Sequence, residues 1–216
     1  MKESEELANR KEGVEERILL CAKEEFLSQG YRDASLRVIA SKAETSTNAI
    51  YVRFGDKQGL YEAIIEPCVR EFLERSITIQ ETFHQASGEK QLETREEYTE
   101  NAVDTLLDYV YDHLEEFRLL TDASYGKRFE SFAHELAEME TEYTLKYSET
   151  VGWKLRNDTQ MNEELLHLLM HGYLDAWFEP VRHGMDREEA HRFIRMLRKY
   201  HSAGILSMFT GTELSE

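Results

Sequence analysis

SLRVIASKAETSTNAIYVRFGDKQGL, residues 35–60, spells two short helices joined by a tight turn, then a stop and the start of a third helix. Ser35 is an N-cap residue ahead of Leu36, Ile39, Ala40 and Ala43, which fall on one helical face. Ser46 is a second N-cap, opening a helix whose apolar side is Ala49, Ile50 and Phe54. Gly55 is expected to take the left-handed conformation that ends this helix, and Asp56 to cap the next one, beginning Lys57-Gln58-Gly59-Leu60. The second short helix turns Thr47, Asn48, Tyr51 and Arg53 outward, all hydrogen-bonding groups suited to base edges and phosphates. Two helices in this relation make a helix-turn-helix. Its candidate DNA contacts are Ser35, Arg37, Ser46, Thr47, Asn48, Tyr51, Arg53 and Lys57. Lys57 stands in the first turn of a helix whose N-terminal N–H groups attract phosphate.

Working back along the chain, Val14, Ile18, Cys21, Ala22 and Phe26 recur at helical spacing over 14–28, with Gly30 as the stop. The segment from about 14 to 61 resembles the N-terminal domain of TetR/AcrR-family transcriptional regulators. The residues that carry the resemblance are Ile18, Ala22 and Phe26, Gly30-Tyr31, Ile39-Ala40, Ala43, Ser46, Ile50-Tyr51, Phe54, Asp56-Lys57 and Leu60-Tyr61. A Tyr three residues before Phe, with Asp-Lys just after it, is more than a generic helix-turn-helix requires. The resemblance implies an all-α chain, with a three-helix DNA-binding domain ahead of a larger helical domain for ligand binding and dimerisation. It implies that Thr47 and Asn48 reach base edges, while Tyr51 and Lys57 contact phosphates. It further implies a homodimer on a palindromic, double-stranded operator, acting as a repressor and released by a small-molecule effector, with no cofactor. One position departs from the pattern. The turn usually has Gly, and here it is Glu44, which costs about 1 kcal/mol relative to Gly if left-handed and brings a negative charge near the reading face.

The net charge of −17 argues against DNA binding only until it is located. Residues 1–65 hold ten Lys/Arg against twelve Asp/Glu, whereas residues 66–216 hold sixteen against thirty-one. The acidity belongs to the C-terminal region, and nonspecific DNA affinity should be low. Cys21 and Cys68 stand alone within helical patterns, which suits a reducing cytoplasm. No apolar run approaches the roughly 18 residues needed to span a bilayer. The charged opening MKESEELANRKEG reads as neither a signal peptide nor an anchor.

Past the reading head, Pro67 inside the Lys57 helix predicts a kink or an end, and places a domain boundary at Glu66-Pro67. The expected organisation is therefore 1–66 for DNA binding and 67–216 for effector binding and dimerisation. HQASGEKQLET reads as a loop, as does the stretch around Asn157-Asp158. Apolar periodicity predicts helices over 95–116, 128–148, 162–179 and 187–209, with a short segment, FRLLTDASYG, between the first two and Pro180 ending the third.

The 162–179 helix is apolar around about two-thirds of its circumference, more than one packed face requires. With the small residues Ala203-Gly204 in the last helix, this predicts a subunit interface through Leu165, Leu169, Ala176, Ala203, Gly204 and Met208. The aromatics Phe117, Tyr125, Phe129, Phe132, Tyr143, Trp153, Tyr173 and Trp177 are the candidate lining of a ligand cavity, although core packing explains each as well. His167 and His171, with Glu163 a turn earlier, have metal-ligand spacing but share a face with Leu174 and Phe178. His134-Glu135-Leu136-Ala137-Glu138 lacks the second histidine of a zinc protease motif, and no GxGxxG, P-loop or GxSxG occurs. The sequence therefore predicts no enzyme and no metal. The other reading that the residues allow is a helical protein–protein interaction module without DNA binding.

Overall fold

Scarce proline and glycine favour long helices, and the computed structural model, which describes residues 2–122, 127–155 and 163–210, is built of them. α1 spans Lys2–Asp33, α2 Leu36–Lys42, α3 Thr47–Phe54, α4 Lys57–His84, α5 Gly88–Asp112, α6 Leu114–Leu120, α7 Lys127–Val151, α8 Glu163–Trp177, α9 Glu179–Arg182 and α10 Arg187–Ser207. A short antiparallel ladder pairs β1, Lys154–Leu155, with β2, Phe209–Thr210. The loop expected around Asn157-Asp158 lies outside the described residues.

Several boundaries differ from the sequence reading, each for a physical reason. α1 begins well before Val14, where the apolar stripe starts, because periodicity marks the packed part of a helix and not its beginning. Gly30 breaks α1 with a positive φ of 74°. α4 does not end at Pro67. A mid-helix proline costs ~3 kcal/mol, and burial of Leu60, Tyr61, Ile64 and Ile65 before it and of Val69 and Phe72 after it offsets that. The loop expected around Gly88 shrinks to residues 85–87, because Ser87 caps α5 by accepting from the Lys90 N–H at 3.4 Å. A Cβ on Gly88 would lie 2.8 Å from the Thr150 carbonyl oxygen, so glycine is there for close approach. Pro180 sits in the first turn of α9, where its missing N–H matters least.

Contacts gather the chain into two units, Met1–Arg70 with Glu115–Gly126, and Glu71–Leu114 with Lys127–Glu216. In the first, Ile18, Ala22, Phe26, Ile39, Ala40, Ile50 and Leu60 form the core. Tyr61 meets Phe26 and Tyr31 edge-to-face at 4.9 and 5.0 Å between ring centres, while Phe26 and Tyr31 stack at 6.0 Å. Three contacts bring the 115–122 segment into this unit: Tyr61 Oη donates to the Leu119 carbonyl, the Tyr31 N–H to Asp122 at 3.2 Å, and Lys23 pairs with Glu115 and Glu116 at 2.8 and 3.0 Å.

In the second unit, Phe72 from α4 stands among Phe132, Trp177 and Phe178 at 5.6–6.0 Å. α7 packs along α8, and α10 lies against α5 and α8. α10 opens with a capping box, in which Asp186 accepts from the Glu189 N–H and Glu189 from the Asp186 N–H. His191 of α10 lies between Asp104 and Asp108 of α5, at 2.8 and 3.1 Å.

Candidate functional site

The turn between α2 and α3 closes by backbone bonds from Ala43 to Ile39 and from Thr45 to Ala40, both 2.9 Å. Closing it this way requires a left-handed residue, and Glu44 supplies it at φ 51°. Ser46 then caps α3, its hydroxyl accepting from the Ala49 N–H at 3.2 Å. Ser35 does not behave as its sequence suggests. Its side chain makes no cap bond, and its own N–H donates instead to Glu25 Oε1 at 3.3 Å. Glu25 is 6% exposed, and its other oxygen takes Lys42 Nζ at 3.2 Å, so one carboxylate from α1 ties down both ends of α2. A signal for Glu25 existed: an acidic residue on the face shared by Ile18, Ala22 and Phe26.

α3 ends at Gly55, with φ 78°, and Asp56 caps α4 by accepting from the Gly59 N–H at 2.8 Å. Gly59 is required here, since a Cβ would stand 2.0 Å from the Phe54 carbonyl oxygen.

The outer face of this motif carries most of the candidate DNA contacts. Arg37, Ser46, Asn48 and Tyr51 are exposed, whereas Ser35, Thr47, Arg53 and Lys57 are half-buried. Arg53 donates to the Ala49 carbonyl at 3.2 Å. Lys57 Nζ donates to the Arg32 carbonyl at 2.9 Å and lies 5.1 Å from the centre of the Tyr31 ring. Burial holds its pKa below the ordinary lysine value, against the pull of Asp33 and Glu25. Val52, passed over in the sequence, is 76% exposed beside Tyr51, an apolar group with nothing of its own unit over it.

The second unit contains a cavity of about 250 Å³. Of the eight aromatics proposed for it, Tyr143, Trp153, Tyr173 and Trp177 line it. Phe129 and Phe132 pack against Phe178 behind the wall, Phe117 is buried in the 115–122 segment, and Tyr125 lies outside the described residues. The wall also carries polar groups that the sequence reading missed. Arg198 is 5% exposed and donates through Nη2 to Glu96 at 2.9 Å, leaving Nε without a partner. Tyr147 Oη and His84 Nδ1 are likewise buried and, among the described residues, unpaired. Burial pushes His201 down to about 4, where it stacks on Tyr173 at 4.1 Å.

The residues proposed for a subunit interface are spread over α8 and α10. Leu165 and Leu169 are each 39% exposed, Ala203 and Gly204 are exposed, and Ala176 and Met208 are half-buried. Leu168, Met196 and Tyr200, on the same two helices, are more exposed still. His167 lies 5.0 Å from His134 and 6.5 Å from His171 between ring centres.

Residues 18–64, which hold the whole helix-turn-helix, match the model of bacterial regulatory proteins of the tetR family. That segment is a tetR-family domain. The chain that carries it is a DNA-binding transcriptional regulator. The fold agrees along most of the length. A tetR-family regulator from Syntrophomonas wolfei superposes with a TM-score of 0.60 at 17% identity, over 92% of this chain and 98% of that one. A TetR-like regulator from Rhodococcus sp. RHA1 gives 0.58 at 22% identity, over 88% and 96%. A tetR-family regulator from Pectobacterium atrosepticum gives 0.56 at 19%, over 95% and 98%. No curated protein matches the chain. No described helix is long and apolar enough to cross a membrane.

Proposed function

We propose that this chain is a cytoplasmic, homodimeric repressor that binds a palindromic operator and leaves it when a small molecule fills the second unit. The observation that carries the DNA half is α3 itself, pinned on one side by Ile50 and presenting Asn48, Tyr51 and Val52 on the other. A single helix of this kind reads one half-site. Two, related by a two-fold axis, read half-sites in successive major grooves about 34–36 Å apart. Residues 1–66 supply the DNA contacts in this reading, and 67–216 supply effector binding and dimerisation.

The exposed leucines of α8 and the Ala203-Gly204 step of α10 support pairing through those two helices, where small residues let helices approach closely. The unpaired buried donors around the second unit's cavity support a ligand, since a buried polar group without a partner is costly and a ligand can satisfy it. Release requires that the ligand bind the DNA-incompetent state more tightly, because equal affinity for both states shifts nothing. The test is selection of bound sequences from a random DNA pool with the full chain, followed by anisotropy titration of the winning duplex. A palindromic winner bound by two copies supports the reading. Binding that is indifferent to sequence refutes it.

A further inference from the structure

Among the described residues, one charge in the second unit's cavity has no ionic counterpart. Glu140 lines the cavity, and the Gln80 amide nitrogen lies 3.1 Å from both of its carboxyl oxygens. Among the described residues no ion pair reaches it. The basic groups of the wall are placed differently: Arg198 is answered by Glu96 at 2.9 Å, and Arg95 lies 4.0 Å from the same carboxylate. Among the described residues a neutral amide is all that the half-buried Glu140 has, and desolvation raises its carboxyl above the usual range. A desolvated carboxylate is costly unless a cation joins it.

The groups around it suit a cation. Tyr143 and Tyr173 line the same cavity as Glu140; burial raises the pKa of both, and nearby carboxylates, Glu140 among them, raise it further. Each is one face of a stack, Tyr143 on His84 at 5.2 Å and Tyr173 on His201 at 4.1 Å. Aromatic faces are negative at their centres, so they attract cations and repel anions. The volume of about 250 Å³ lies below the roughly 300 Å³ at which ordinary ligand pockets begin, and admits one or two fused rings. Arg198 Nε and Tyr147 Oη remain as donors for a neutral acceptor atom elsewhere on the ligand.

Resting on the reading of this cavity as the effector site, we infer that its ligand is a compact organic cation, an ammonium or N-alkylated heteroaromatic with a flat apolar body. Its charge sits at Glu140, and its rings lie among Tyr143, Tyr173 and Trp177. Calorimetric titration of the full chain with N-methylquinolinium, neutral quinoline and anionic quinaldate holds ring size constant while charge changes. The cation should bind at least tenfold more tightly than either of the others. Glu140→Gln should bring the cation to within about twofold of quinoline. Equal or tighter binding of quinoline or quinaldate, no binding of the cation, or a Gln variant that keeps the preference would each overturn the inference. The wild-type comparison stands even if the variant does not fold. Operator release is measured separately, by anisotropy with and without N-methylquinolinium. A cation that binds without releasing DNA removes the effector reading and leaves the ligand chemistry in place, so the two fail independently.

Discussion

Replacing Glu44 by Gly relieves one strained residue and removes one charge, and the two effects can be measured apart. The strain is read directly from φ 51°, a conformation costing an L-residue about 1–2 kcal/mol. Glycine adopts it freely but loses more backbone entropy on folding, by about 0.5–1 kcal/mol, so the net gain is about 1 kcal/mol. No hydrogen bond or ion pair of the Glu44 side chain is found among the described residues, and the side chain is exposed, so nothing else is lost. For a chain of this size about 1 kcal/mol raises Tm by roughly 2–4 °C. A unit charge about 10 Å from a phosphate in water contributes about 0.4 kcal/mol, roughly a factor of two in affinity, and salt screens it. Thermal melts by circular dichroism and operator titrations at two salt concentrations read the two effects. Glu44→Ala is the control, because it drops the charge and keeps the strain. The Gly variant should gain both stability and affinity, and the Ala variant affinity alone. If the Gly and Ala variants melt together, or the Gly variant melts below wild type, the account of the turn is wrong.

Asn48→Ala should change the preferred bases at a cost of about 1–3 kcal/mol, whereas Tyr51→Phe should weaken all sequences alike, as competition titrations against operator variants will show. Lys57→Ala should do the same to affinity and also lower Tm, since Nζ holds the Arg32 carbonyl. Glu25→Ala leaves the Ser35 N–H and Lys42 without their acceptor, and should cost about 1–3 kcal/mol in chemical denaturation. Gly204→Glu should yield a folded monomer with little operator affinity in sedimentation, because a Cβ at this position meets nothing within 4 Å. A dimeric Gly204 variant refutes the interface. Between pH 6.5 and 4 the unfolded chain takes up a proton that folded His201, held down to about 4, resists. Stability linked to His201 is therefore full above about pH 6.5 and falls as pH drops through that window, and His201→Leu should flatten this part of the melting profile.

What the sequence disclosed follows from how local each feature is. Ser46, Gly55 and Asp56 act on backbone groups within three or four residues, so their roles were readable in a short window, as was the left-handed turn residue at Glu44. Ser35 looked the same locally, but its partner Glu25 comes from another helix, ten residues earlier. Pro67 allowed either a kink or an end, and α4 does not end there: the rule about proline is local, and the burial that carries the helix through it is not. The pairing of Leu155 with Phe209 joins residues far apart, in strands too short to show alternation. For the cavity, the aromatic stripe of α7 marked a buried face without distinguishing Phe129 and Phe132, which fill space, from Tyr143, which borders it. Glu140 offered a better signal, as a carboxylate four residues after Leu136 and seven before Tyr147 on the same stripe.

The chain has two tryptophans, Trp153 and Trp177, and both line the cavity. All of its indole emission therefore originates in the second unit, while the first contributes only tyrosine. Emission and circular dichroism are consequently different clocks on the same unfolding reaction, one timing the second unit and the other timing every helix. If the two units open separately, the curves will not coincide, and the gap between them measures how independent the DNA-reading unit is.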